Sequence, residues 1–143
     1  MNHFNPSDSY VLFELAGSTC GVRSRSVLSV EMVEHVTAVP NAAPFVEGIT
    51  FNRGKVIPSI NLRVRFGFPR IAAEPQARML VVRPKNRTAG MLVDSVREFV
   101  SIPANAIRPA ENRGAIDRFV EGIATLGKRD ILIVNLEEVI EGI

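Results

Sequence analysis

Apolar residues along this chain fall into short runs rich in Val, Ile and Leu, cut by Gly, Pro, Asn and charged residues. Leu28, Val30 and Met32 alternate with Ser29 and Glu31, the period-two pattern of a strand. Strands are predicted at 10–15, 20–22 and 28–36, followed by a Pro40-Asn41-Ala42-Ala43-Pro44 loop. Residues 46–51 and 55–60 make a predicted hairpin around Asn52-Arg53-Gly54, where glycine accepts the positive φ of a tight turn. Pro58 lies inside the second strand of that hairpin and has no amide to donate, which predicts an edge strand or a bulge. Residues 69–78, with Pro69 and Pro75, are the best linker candidate.

The second half follows the same plan. Strands are predicted at 79–83, 88–93 and 95–102, an irregular stretch at 104–117, and a second hairpin from 120–126 and 130–134. Each half closes on a short helical segment. Asn61 precedes Leu-Arg-Val-Arg-Phe and Gly67 follows it; Asn135 precedes Leu-Glu-Glu-Val-Ile-Glu and Gly142 follows. Asparagine caps a helix by accepting an orphan amide, and glycine suits the left-handed position after the last turn. Glu138, three residues after Asn135, resembles half a capping box.

The two halves are also alike residue by residue. Phe45-Val46-Glu47-Gly48-Ile49 returns as Phe119-Val120-Glu121-Gly122-Ile123, and Ile57, Asn61 and Leu62 are matched by Ile131, Asn135 and Leu136 without a gap. Upstream, Cys20-Gly21-Val22 aligns with Ala89-Gly90-Met91, and Ser26-Val27 with Ser95-Val96. One structural unit is used twice. The pattern predicts an all-β protein of two small barrels or sandwiches with minor helices: a polar leader at 1–9 and one domain at 10–143, with subdomains near 10–68 and 79–143.

Composition narrows the function. The 143 residues suit one compact domain or two small subdomains sharing a core, and a hydrophobic share of 46% excludes a disordered chain. The pI of 9.1 suggests nucleic acid, but the net charge is only +2. The charge is also evenly spread: six Lys/Arg against five Asp/Glu up to residue 69, eleven against ten beyond it. A nucleic-acid binder concentrates positive charge on one face. No tryptophan and one tyrosine leave stacking platforms poorly supplied. The leader lacks a signal-peptide pattern and no apolar run could span a bilayer, which predicts a soluble, cytoplasmic protein without membrane insertion.

Candidate chemistry is sparse. One cysteine and two distant histidines build neither a metal cluster nor a thiol–base pair. Residues 17–21, Gly-Ser-Thr-Cys-Gly, lack the lysine of a phosphate loop. Asp94 is a lone carboxylate suited to a turn or cap, and Glu47 and Glu121 recur with the repeat. The expectation is no enzyme, no cofactor and no metal. Arg53 remains: a guanidinium at a hairpin tip near apolar Ile49 and Phe51, the composition of an interaction hot spot.

These motifs resemble the CheW-like domain, the adaptor of bacterial chemosensory arrays. The resemblance runs from Tyr10 to Ile140. It rests on residues 40–49, on Arg53-Gly54-Lys55-Val56-Ile57-Pro58 with Asn61-Leu62-Arg63, and on Gly90-Met91-Leu92-Val93-Asp94-Ser95-Val96. The chain departs from the family with Phe51-Asn52 before Arg53-Gly54, Asn61 for the usual Asp, and Ser29 where Glu is common. The resemblance implies two intertwined, SH3-like, five-stranded β-barrels. It also implies a scaffold that bridges a chemoreceptor (methyl-accepting chemotaxis protein) cytoplasmic tip to the regulatory domain of a CheA-type histidine kinase. Val27, Gly48 and Arg53 map to positions associated with that coupling, and the hairpin adds Ile49, Asn52 and Gly54. Two other readings stay open: an adaptor of type IV pilus motility or another pathway, and a small barrel that binds nucleic acid. Alone, the protein is expected to be mainly monomeric.

Overall fold

A computed structural model describes residues 7–33, 35–110 and 118–143. Eleven strands and two short helices run in the order β1 (Ser7–Leu15), β2 (Ser18–Arg23), β3 (Val27–Met32), β4 (Val46–Asn52), β5 (Lys55–Asn61), α1 (Leu62–Arg65), β6 (Arg78–Val82), β7 (Ala89–Val93), β8 (Ser95–Pro103), β9 (Ile107–Pro109), β10 (Val120–Leu126), β11 (Arg129–Val134) and α2 (Leu136–Ile140). They form two sheets, β8-β1-β2-β11-β10-β9 and β3-β6-β7-β5-β4. The all-β expectation is met.

The halves are intertwined. β1 and β2 open the chain but pair with β8 and β11, while β6 and β7 pair with β3 and β5. Two contacts are parallel, β2 with β11 and β5 with β7, and they occupy equivalent places in the two sheets. Burial follows from this arrangement. Tyr10 and Leu12 enter a core inside the first sheet with Ile102, Ala124, Ile131 and Ile133. Val11, Phe13 and Leu15, on the opposite face of the same strand, enter a larger core between the sheets with Ile60, Leu80, Val82 and Met91. A strand buried on both faces reads as a continuous apolar run rather than as alternation, which is why Tyr10–Leu15 and Met79–Val82 show no period. Among the described residues the apolar cluster inside the second sheet is small: Ile57, Met79 and Val81, with Leu92 beside them.

Three local expectations change. The strand at 28–36 ends at Met32. The stretch at 104–117 contains a 3-10 turn at Ala104–Ala106 and the short strand β9, while 111–117 lie outside the described residues. β9 gives the first sheet six strands, and the second has five. Pro58 is neither at an edge nor at a bulge, because β5 lies between β4 and β7. It is tolerated because the β7 pairing begins only at Ser59. Its cross-strand partner Ile49 turns its own N–H and C=O away, toward Thr37, at 2.8 Å each.

Both caps form. Asn61 accepts from the Val64 amide at 3.2 Å and Asn135 from the Glu138 amide at 3.3 Å. Gly67 and Gly142 take φ of 92° and 88° after the helices. Glu138 does not complete a capping box: its carboxylate accepts from Arg118 at 2.9 Å, while the Asn135 amide goes to the Phe119 carbonyl.

The recurring glycines have a backbone cause. Gly48 lies beside a one-residue bridge, Thr37 to Ile49, the counterpart of the β9–β10 pairing beside Gly122. A Cβ on Gly48 would stand 2.0 Å from the Thr37 carbonyl oxygen, and one on Gly122 would stand 2.7 Å from Ile107 Cγ2. At a φ of 149°, Gly48 is also unsuited to any other residue. Gly48→Val should therefore lower the unfolding midpoint strongly, by about 3 kcal/mol or more, because backbone rather than a movable side chain must give way. Urea denaturation checks this; an unchanged midpoint would reduce the recurrence to common ancestry.

Candidate interaction surface

The hairpin β4–β5 turns in two residues, Arg53 and Gly54, with φ of 51° and 80°. Positive φ at both central positions gives the twist that a two-residue hairpin needs. Arginine accepts this conformation at a small cost, so residue 53 is not filled by the easiest residue for the turn. Its side chain is 75% exposed and donates to Glu31 Oε2 on β3 at 3.4 Å.

Around this tip the sequence-predicted residues divide. Ile49, Asn52, Arg53 and Gly54 share the hairpin. Gly48 is buried beneath it against Thr37 and Ala38, so its part in any contact is indirect. Val27 opens β3 and packs against the central core, away from the tip. Sequence reasoning placed Phe51 beside Arg53 but missed Met32 and Val56. Phe51 is 73% exposed and Met32 58%, and the two line one depression with Glu31, Thr50 and Arg53. Val56, the cross-strand partner of Phe51, is also exposed, as are Leu28 and Val30 farther along β3.

That apolar strip inverts the usual rule. On β3 the alternation is real, but Leu28, Val30 and Met32 face out while Ser29 and Glu31 face in. The barrel interior explains it: buried Thr50 and Ser59 line it with Met79, so it accepts polar neighbours. Exposed apolar residues grouped on one face mark an interaction site.

A second surface lies at the junction of the barrels. A groove of about 320 Å³ runs between Val33 and Val36 on one side and residues 70–74 with Ala77 on the other, with Ile71 and Ala73 on its walls. Two ion pairs line it, Glu47 with Arg70 and Arg63 with Asp94. Asp94 accepts from Arg63 at 2.9 and 2.7 Å and from the Ala16 amide at 2.8 Å, tying α1, the β7–β8 corner and the β1–β2 turn. Burial alone would raise its pKa; the Arg63 guanidinium and the Ala16 amide outweigh burial and leave it below the usual value of 3.8. A carboxyl depressed on folding stabilises above its unfolded pKa, and that stability is lost as pH falls through the folded pKa. The stability gap between wild type and Asp94→Asn should therefore be full near neutral pH and shrink once pH falls below about 4. Urea midpoints across pH test this; a gap independent of pH would contradict it.

Nucleophilic chemistry finds no support in Cys20, which is buried. Burial, with Glu14 and Asp94 nearby, pushes its thiol up to about 12. Among the described residues no group of His, Cys, Asp and Glu is placed to hold a metal ion. Among the described residues no helix is long and apolar enough to cross a membrane.

Two barrels joined by a shared core, with an arginine at one hairpin tip, match a known domain. The CheW-like domain matches residues 9–143. The chain belongs to the CheW-like domain family. Its backbone superposes on the crystal structure of scaffolding protein TtCheW from Thermoanaerobacter tengcongensis with a TM-score of 0.89 and 34% identity, covering 95% of this chain and 94% of that one. It is 27% identical to the chemotaxis protein CheW of Klebsiella aerogenes over 92% of this chain and 80% of that protein. It is 32% identical to protein FrzA of Myxococcus xanthus over 73% and 65%. The intertwined SH3-like barrels expected of a CheW-like chain agree with the two sheets, and the family role is that of an adaptor in chemotaxis signalling.

Proposed function

We propose that this CheW-like chain is a non-enzymatic adaptor joining the cytoplasmic tip of a chemoreceptor to the regulatory domain of a CheA-type histidine kinase. The observation that carries the reading is the pairing of two unlike surfaces on one body. The first barrel presents a projecting rim, Arg53 among Met32, Phe51 and Val56. The barrel junction presents a groove with apolar walls and two ion pairs along it. A groove suits a helix, and a rim suits another folded surface. The resemblance implies that the kinase domain is itself a double barrel, a folded surface that fits the rim, which leaves the groove for the receptor tip.

The mechanism is mechanical. The core between the sheets joins residues of both halves, so both surfaces keep one relative geometry. A receptor's conformational bias reaches the kinase only while both are held, and function is then a coupling free energy. Such an adaptor works in the cytoplasm, recruited to receptor arrays, without entering the membrane.

Self-association would consume the rim. The free protein is therefore mainly monomeric and forms mixed, ring-like assemblies with the kinase regulatory domain through heterologous contacts. Light scattering at micromolar concentration tests this. A monomer that grows only on adding the kinase domain supports the reading, and a tight symmetric homodimer contradicts it.

A further inference from the structure

We propose that Glu31 is a built-in competitor for Arg53, setting how tightly the first barrel's rim holds a carboxylate of the kinase regulatory domain. The inference rests on the adaptor reading above. Arg53 reaches Glu31 through one nitrogen at 3.4 Å. A guanidinium carries five donors in a planar fork, so this single long contact leaves most of the fork open. Arg53 is held without being saturated. The two partners are not equally free: the side chain of Glu31 is 27% exposed and that of Arg53 75%. Glu31 sits on the inward face of β3 opposite Met79. Ser29 and then Asn52, with Arg53, draw its carboxyl below the usual carboxylate range, though the Ser29 hydroxyl makes no hydrogen bond of ordinary geometry and Arg53 is the donor that reaches the carboxylate. A part-buried carboxylate therefore faces an exposed arginine.

The duplication supplies an internal comparison. Val100 stands opposite Tyr10 on β8 as Glu31 stands opposite Met79 on β3. Val100 packs onto the first sheet's core, and the hairpin position equivalent to Arg53 is Gly127. The same topology thus closes with valine and glycine at these two places. Neither Glu31 nor Arg53 is needed to build a barrel, and only one of the two barrels carries the pair.

Placed this way, Glu31 acts on selectivity. A partner surface without a carboxylate cannot displace Glu31 and gains only the apolar contacts of Met32, Phe51 and Val56. A partner that presents a carboxylate among apolar side chains takes the open side of the fork and releases Glu31. An exposed ion pair is weak, so the competition should shift affinity without blocking binding. Arg53 projects from the hairpin tip at the edge of the depression, within reach of a folded surface, which favours the kinase barrel as the partner.

Calorimetric titration of the kinase regulatory domain into wild type, Glu31→Gln, Arg53→Gln and the double variant tests the inference. Glu31→Gln is expected to tighten binding about two- to fivefold, and to do nothing in the Arg53→Gln background. Glu31→Val, which copies Val100, serves as a second variant if the amide destabilises the fold. Independently of any partner, the carboxyl NMR titration of Glu31 should move to higher pH in Arg53→Gln. Unchanged or weakened binding in Glu31→Gln would overturn the inference, because Glu31 would then serve to order the tip. Tightening that persists without Arg53 would overturn it too, because it would be a general effect of removing negative charge. So would an Arg53 dependence confined to the receptor tip. A wild type that binds neither kinase domain nor receptor tip defeats the adaptor reading and this inference together. Wild-type binding with no response to Glu31→Gln defeats the inference alone.

Discussion

Arg53→Glu is expected to abolish assembly of the receptor–kinase complex while the protein stays folded. The side chain projects from a hairpin tip, and its one resolved bond is the long contact to Glu31. A surface substitution of this kind moves stability by about 0.5 kcal/mol. Placing a carboxylate against a partner carboxylate at a desolvated contact costs several kcal/mol. Arg53→Gly separates the two effects. Glycine enters the left-handed turn without a Cβ, so this variant should be at least as stable as wild type. It should still bind poorly. Thermal melting and co-sedimentation with receptor and kinase check both. Normal co-sedimentation of Arg53→Glu would return Arg53 to an ordinary solvated turn residue.

The largest stability loss outside the glycines is expected at Arg65. This arginine belongs to α1 of the first half but finishes α2 of the second. It donates to the Val139, Glu138 and Glu141 carbonyls at 2.9, 3.1 and 2.8 Å. α2 has no basic residue in its own last turn, so its open carbonyls are satisfied from across the molecule. The guanidinium also lies 3.8 Å from the Phe45 ring centroid and 4.9 Å from that of Phe119, the two matched residues of the repeat. Next to it, Phe66 stacks on Phe119 at 5.4 Å. Arg65→Met keeps the stem and removes the donors and the charge, leaving three carbonyls partly unpaired. The expected cost is about 2–4 kcal/mol, read as a lower melting temperature and urea midpoint. Arg65→Lys should recover only part of this, since an ammonium lacks the fork. A melting temperature unchanged in Arg65→Met would show that the contacts are incidental.

How much of this was legible in the sequence depended on range. The repeat, the hairpins and the Asn caps were legible because they follow from local backbone demands. Asn61 and Asn135 precede helices, Gly67 and Gly142 follow them, and each pattern spans a few residues. The strand exchange was not legible in detail, because parallel pairing of β2 with β11 and β5 with β7 joins segments far apart in the chain. The outward face of β3 was also hidden. Alternation gives a strand's period but not which face is inside, and only the polar lining of Thr50 and Ser59 decides it. Of the candidate site, Arg53 was legible as a guanidinium at a hairpin tip near apolar Ile49 and Phe51. Met32 and Val56 were not, because nothing in a run of apolar residues says which are left exposed. Asp94, suited by sequence to a turn or cap, does sit at the β7–β8 bend and accepts a backbone amide, but its ion-pair arginine, 31 positions away in the chain, was not legible.

The most direct test of the central claim is a three-component co-sedimentation, with receptor-tip fragments, the kinase and this protein, read together with kinase activity. The adaptor account predicts that the kinase sediments with the receptor only when the protein is present, and that receptor control of phosphorylation appears with it and disappears in Arg53→Glu. Kinase recruitment and control that are the same with and without the protein would contradict it.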